Sequence, residues 1–156
     1  MKPKRAGRLD RVDWRIIEEL QNDGRMSLSS LGKRVGLSQP AVSERVKRLE
    51  SVGVIEGYAA RINFHAVGLD LLAIARVKTT FEKLQACLKL FKAMPEILEV
   101  HRVTGEDCLI LKLLVPRAEQ LESVIDRLAK YGSVTTSIVL SSLPPTPITL
   151  RATGSE

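Results

Sequence analysis

The sequence predicts an α+β chain of two domains: an N-terminal winged helix-turn-helix domain and a C-terminal ferredoxin-like βαββαβ domain. Three observations carry this. Three short amphipathic helices, each with its own capping residue, follow one another between Asp10 and Gly53. After residue 70, strand-like and helix-like runs come in the order β-α-β-β-α-β. The charge divides at the same place: residues 1–64 hold 13 Lys and Arg against 8 Asp and Glu, and residues 65–156 hold 11 against 10.

The chain has 156 residues, 44% of them hydrophobic, enough for two small domains. Only 4% are aromatic, so Leu, Val, Ile and Ala must fill the cores. A net charge of +6 and a pI near 9.6 favour a polyanionic partner, and the excess sits in the N-terminal half. Cys87 and Cys108 are the only cysteines and form no C-x-x-C pair, so neither a zinc site nor a redox motif is expected. Met1–Gly7 is basic and is not followed by an apolar run, so no signal peptide is read there. No segment reaches the roughly 18 consecutive apolar residues of a membrane span. A reducing cytoplasm is the expected setting, with no membrane partner.

In chain order, Met1–Arg8 reads as a basic tail, disordered alone. Asp10 opens the first helix with Asp13 three residues on, where carboxylates suit the positive helix end. Val12, Ile16, Ile17 and Leu20 give its apolar face, with Trp14 at the edge, and Gly24 its stop. Ser27 caps a second helix with Leu28, Leu31 and Val35 on one side; Gly36 ends it, Leu37 plugs the core, and Ser38 starts the third. A Gly-Leu-Ser turn between two capped, phased helices is the mark of a helix-turn-helix, and it points to DNA.

The third helix, Ser38–Glu50, carries the reading. Pro40 falls in its first turn, where a missing N–H costs little. Val42, Val46 and Leu49 form a narrow apolar stripe. Gln39, Ser43, Glu44 and Lys47 lie outward, with the hydrogen-bonding chemistry that base edges need, and Ser38 at the helix start is expected to contact DNA with them. Arg45 flanks the stripe; with Arg48, and with Arg61 further on, it is expected to serve phosphates. Val54-Ile55 and Tyr58–Ile62 read as two short extended pieces around Glu56-Gly57, forming a small wing. His65 has no metal partner or nucleophile near it in sequence and reads as a surface or hinge residue. Residues 65–70, with Gly68, are the expected linker.

The second domain is expected over residues 71–143. Leu71–Thr80 is a strand, Phe81–Met94 a helix stopped by Pro95, and Ile97–Thr104 a half-buried strand. Gly105-Glu106-Asp107 is a turn, and Cys108–Val115 is a strongly apolar strand. A helix over Arg117–Lys130 ends at Gly132, and Val134–Leu143 is the last strand. In the tail, 144–156, Ile148–Leu150 has the composition of a short strand added to a neighbouring subunit, with a frayed end.

Together, LDRVDWRIIEELQNDGRMSLSSLGKRVGLSQPAVSERVKRLESVGVIEGYAARIN, VTGEDCLILKLLV and GSVTTSIVLSS resemble the leucine-responsive regulator (Lrp)/AsnC family, the feast/famine regulators. The resemblance runs from about Leu9 to about Leu143. It implies a sequence-specific bacterial or archaeal transcription regulator and not an enzyme. It implies double-stranded DNA as partner, a homodimer that assembles further, commonly to an octamer, and no cofactor or metal. It makes the second domain an amino-acid-sensing RAM domain, with the effector held between dimers. Val103, Thr104, Gly105, Glu106 and Asp107 match the family's effector turn, and Thr135, Thr136 and Ser137 the last-strand segment that helps line the pocket. A glycine turn can present amides to a carboxylate, Glu106 or Asp107 can meet an ammonium, and the hydroxyls can take either. Cys108 departs from the pattern, because many members carry an acidic residue there, and a thiol cannot make that charge interaction.

Two other functions fit parts of the chain. An architectural DNA-binding protein without an effector is compatible with Cys108. A sirohaem decarboxylase of AsnC-like architecture would need tetrapyrrole contacts, for which only His65 and His101 are present.

Overall fold

A computed structural model describes residues 9–153. The expected basic tail, Met1–Arg8, lies outside them. Two compact units divide the chain at Arg61/Ile62 and at Leu143/Pro144, and the segment from Pro144 onward groups with the N-terminal unit.

The N-terminal unit is built from α1 (Arg11–Asn22), α2 (Leu28–Val35) and α3 (Gln39–Ser51). Each start is fixed by local chemistry. The Asp10 side chain accepts from the Asp13 amide at 2.8 Å, while Asp13 accepts from the Asp10 amide at 3.1 Å, a reciprocal cap that satisfies two orphan donors. Ser27 caps α2 through the Ser30 amide, and Ser38 caps α3 through the Ala41 amide. Gly36 closes α2 with φ at +76°, a left-handed conformation that favours glycine. Ile16, Leu31, Val35, Val42, Val46 and Leu49 form the core, with Leu9, Val12, Ile17, Leu20 and Leu37 packed on it. The wing expected over residues 54–62 is different: the chain bends at 54–55, has no regular structure over 56–62, and pairs with no strand. Strand composition is not enough, because a hairpin also needs a cross-strand partner. The Val54 and Ile55 amides instead both donate to Leu49 O.

After a 3-10 turn at His65–Val67, the second unit follows the expected order: β1 (Leu71–Lys78), α4 (Phe81–Ala93), β2 (Ile97–Arg102), β3 (Leu109–Val115), α5 (Ala118–Ala129) and β4 (Ser133–Ile138). The sheet order is β2-β3-β1-β4, with every neighbouring pair antiparallel. Alternation sends Ala73, Ala75 and Val77 of β1 and Leu109, Leu111, Leu113 and Val115 of β3 into one core with Leu84, Cys87 and Phe91 of α4 and Leu121, Val124 and Leu128 of α5. Phe91 meets Tyr131 edge to face, with centroids 6.2 Å apart. Ile74, Arg76, Ile110, Lys112, Thr135 and Ser137 take the alternate positions, on the face away from that core. Ile148–Leu150 forms no strand, and Leu150–Thr153 is a 3-10 turn.

Candidate DNA-reading face and effector hollow

Helix α3 is held on one side and left free on the other. Val42, Val46 and Leu49 are buried, whereas Gln39, Glu44 and Lys47 are exposed and Ser43 is half-buried. Among the described residues, no hydrogen bond or ion pair engages the side chains of Gln39, Ser43, Glu44 or Lys47. Gln39, Ser43 and Lys47 stand about one turn apart along a single face, with Glu44 at its side, the spacing a helix needs to meet successive base edges. Ser38 spends its hydroxyl on the helix cap, at 3.5 Å from the Ala41 amide. Arg61 is exposed on the irregular strip beyond α3.

Arg45 and Arg48 differ from expectation. Arg45 Nη1 donates to Asp10 at 2.7 Å and to Asp13 at 2.8 Å, and Arg48 Nη2 donates to Asp13 at 2.6 Å. Three residues apart on α3, they share the flank that faces the start of α1, so both reach the same carboxylates. Their charge is largely answered inside the protein, which reduces what they can offer phosphate. Asp13 is 1% exposed and is the one buried charged side chain among the described residues. It was legible as a helix-start acid; its task of holding α3 through two arginines was not. The clue was Asp13 standing in register with the apolar Ile16, which turns it inward.

Electrostatics follow from this cluster. The Asp13 amide, and then Arg45, hold the Asp10 carboxyl below its ordinary value. Burial pushes Asp13 up, but Arg48, the Asp10 amide and Arg45 together outweigh it and hold Asp13 below its ordinary value too. Carboxyls depressed in the folded state stabilise it above their unfolded pKa, about 4, and that support is lost as pH falls through the folded values. Thermal stability of the N-terminal unit is therefore expected to be flat from about pH 7 to 5 and to fall steeply below about pH 4. An Asp13→Asn chain should lose less over the acid range. Trp14, the single tryptophan, sits on α1 and reports the transition by fluorescence.

The second unit holds a hollow of about 200 Å³ at the β2–β3 turn. Val103, Thr104, Gly105 and Asp107 line it, joined by Arg102, Thr80, Phe81, Leu84 and Cys108. Glu106 is exposed and does not line it; nor do Thr135, Thr136 and Ser137 of β4. The sheet order explains the last point, since β4 pairs with β1 on the side opposite β3. Arg102 was missed because its strand position marked it only as a polar, outward residue. No hydrogen bond or ion pair holds its side chain among the described residues, so the hollow's lining includes an unengaged guanidinium as well as Asp107. Asp107 itself lies 3.9 Å from Arg76. The Cys108 thiol donates to Thr79 O at 3.1 Å, so it packs against backbone and brings no charge.

The two histidines stay apart from any such site. His65 pairs with Asp70, and His101 with Glu99 at 3.1 Å, both on the surface. No helix among the described residues is long and apolar enough to cross a membrane.

A helix-turn-helix domain followed by a separate ferredoxin-like domain defines the class of two-domain helix-turn-helix regulators. Residues 9–50 match the AsnC-type helix-turn-helix domain, and residues 72–148 match the Lrp/AsnC ligand binding domain. The chain is 31% identical over 136 residues to the regulator LrpC of Bacillus subtilis, covering 87% of this chain and 94% of that one. The LrpC structure superposes with a TM-score of 0.85 at 30% identity, over 90% of this chain and 100% of that one. The chain is 39% identical over 139 residues to the regulator LrpA of Mycobacterium tuberculosis, covering 86% of this chain and 91% of that one. A Neisseria meningitidis transcriptional regulator, solved as a complex with L-Met, superposes at 0.83 with 28% identity, covering 94% and 99%. The chain therefore belongs to the Lrp/AsnC family of transcriptional regulators.

Proposed function

We propose that this chain is a sequence-specific regulator that reads DNA through Gln39, Ser43, Glu44 and Lys47 and answers to a small amino acid held at the β2–β3 turn. The observation that carries the DNA role is the division of labour on α3: the outward side chains are unengaged, while Arg45 and Arg48 are committed to Asp10 and Asp13. Arg61 and the other N-terminal cations supply phosphate contacts and a salt-dependent affinity. A homodimer presents two α3 helices to a pseudo-palindromic site, and further assembly toward an octamer multiplies the contacts. The face of the sheet away from α4 and α5, with Ile74, Ile110 and Leu114 on it, is the surface we assign to pairing.

In the hollow, Arg102 suits a carboxylate and Asp107 an ammonium, with Leu84, Phe81 and Val103 beside them for a small apolar side chain. Thr135, Thr136 and Ser137 contribute only where a neighbouring copy completes the site. The L-Met complex of the Neisseria meningitidis relative supports an amino acid as the effector class. An effector that binds one assembly state better than another shifts the balance between them, and DNA affinity with it.

Lys47→Ala is expected to weaken binding to a selected duplex about tenfold and to relax preference at one base position per half-site. Selection from a randomised duplex pool by both proteins measures this, and an unchanged preference would remove Lys47 from the reading face. For the effector, calorimetric titration with the twenty amino acids is expected to find one ligand whose heat is lost in Asp107→Ala. A second reading is carried by Cys108, whose thiol is spent on the Thr79 carbonyl. It predicts DNA binding that no amino acid alters.

A further inference from the structure

The segment after β4 is caught at a second point. Val139 continues the pairing with β1 through its amide, which donates to Leu72 O at 2.9 Å. Residues 140–147 then run without regular structure and include Pro144, Pro145 and Pro147. At Ile148 the chain meets Gln21, on the last turn of α1. Gln21 Nε2 donates to Ile148 O at 2.9 Å, and Gln21 Oε1 accepts from Ile148 N at 2.8 Å. One carboxamide thus satisfies both backbone groups of one residue, as a neighbouring strand would. The same Nε2 lies 3.3 Å from Ile17 O, which fixes the orientation of the amide. Ile148 borders an apolar groove with Trp14, Ile17, Leu20 and Tyr58, bounded by α1 and the 54–61 strip. The compact N-terminal unit accordingly contains, of the described residues, both Leu9–Arg61 and Pro144–Thr153.

We propose that Gln21 and this groove are a docking site for the chain's own C-terminal segment, and that the docked segment braces the 54–61 strip that carries Arg61. The tail's chemistry suits such a site. The prolines have no N–H, so between residues 144 and 148 only Thr146 and Ile148 can donate from the backbone, and this sets the register at Gln21. A proline-rich lead is already extended, so docking orders little additional chain. Recognition is by backbone, with Ile148 at the groove's edge and 60% exposed. The DNA-binding unit is thereby joined to the second unit by two stretches of chain, the 62–70 connection and the tail. The bracing role rests on the DNA-binding reading above; docking itself is measured without DNA.

The test uses the full chain, the full-length variants Gln21→Ala and Ile148→Pro, and a chain ending at Leu143. Ile148→Pro removes the donor that Gln21 accepts and exchanges one groove-lining side chain, in a segment outside both cores. NMR of the Gln21 carboxamide reads docking, and anisotropy on one selected duplex reads DNA affinity. Each change is expected to move the Gln21 signal or abolish it, to lower affinity about three- to tenfold, and to leave the second unit's melting unchanged. A synthetic peptide of residues 144–153, added to the shortened chain, is expected to restore both the signal and the affinity. A Gln21 signal that ignores Ile148→Pro and the truncation overturns docking. A lost signal with affinity unchanged within twofold overturns the brace. A wild-type chain that binds no duplex refutes the DNA reading and the brace with it, while the Gln21 signal still decides docking.

Discussion

Asp13→Ala is expected to lower the stability of the N-terminal unit by about 3 kcal/mol and DNA affinity at least tenfold. Two losses combine. The Asp10 amide loses its reciprocal cap at the start of α1. Arg45 and Arg48 lose the carboxylate that holds both of them against α1. Breaking a buried ion pair costs about 3–5 kcal/mol when the surviving charge stays buried. Here the arginine side chains are 31% and 45% exposed, so they can turn to water, which keeps the cost at the low end. Asp13→Asn keeps an acceptor of the same shape and is expected to lose about half as much. A double-mutant cycle of Asp13→Ala with Arg45→Ala, followed in denaturant by Trp14 fluorescence, should give a coupling of about 1–2 kcal/mol. Strict additivity would mean the cluster contributes nothing to holding α3.

Gly32→Ala is the second large effect, and its sign is the informative part. In an ordinary helix interior this change gains about 1 kcal/mol. Here a Cβ would stand 2.7 Å from Leu37 O, with Ser38 C and O at 3.6 Å. The neighbour is backbone and cannot rotate away; moreover, the Leu37 amide donates to Gly32 O at 2.8 Å, so the turn is tied to the same residue. Relief requires moving Leu37–Ser38, and Ser38 caps α3. We expect a net loss of about 2 kcal/mol and blurred base preference from a displaced reading helix. Gly36→Ala is the control. Its added Cβ meets nothing within 4 Å, so only the left-handed φ of +76° opposes it, at about 1 kcal/mol. A Gly32→Ala protein as stable as wild type would mean the turn between α2 and α3 is looser than its geometry.

What the sequence made legible was whatever is decided within a few residues. Asp10, Ser27 and Ser38 announced the helix starts because a cap is local chemistry, and all three perform that role. The four strands and the two helices of the second unit were readable from alternation and from the 3.6-residue stripe, with ends shifted by a few residues. What escaped depends on distant partners. Asp13 meets Arg45 and Arg48 across 32 and 35 residues, and no periodicity encodes that. Gln21 meets Ile148 across 127 residues, where the tail had suggested a strand instead. The strip at 54–62 had strand composition but no partner to pair with. Thr135–Ser137 and the 103–107 turn sit on strands that the order β2-β3-β1-β4 keeps apart, so one chain does not bring them into a single hollow.

The most direct test of the central claim is anisotropy of labelled DNA from upstream of the protein's own gene, against a scrambled duplex of equal length. It is run across a salt series, with and without each amino acid. The account predicts selective binding at least about a hundredfold above the scrambled duplex, weakening as salt rises, and shifted by one amino acid. Equal binding to both duplexes would contradict it and favour an architectural role, and no binding even at low salt would remove DNA as the partner.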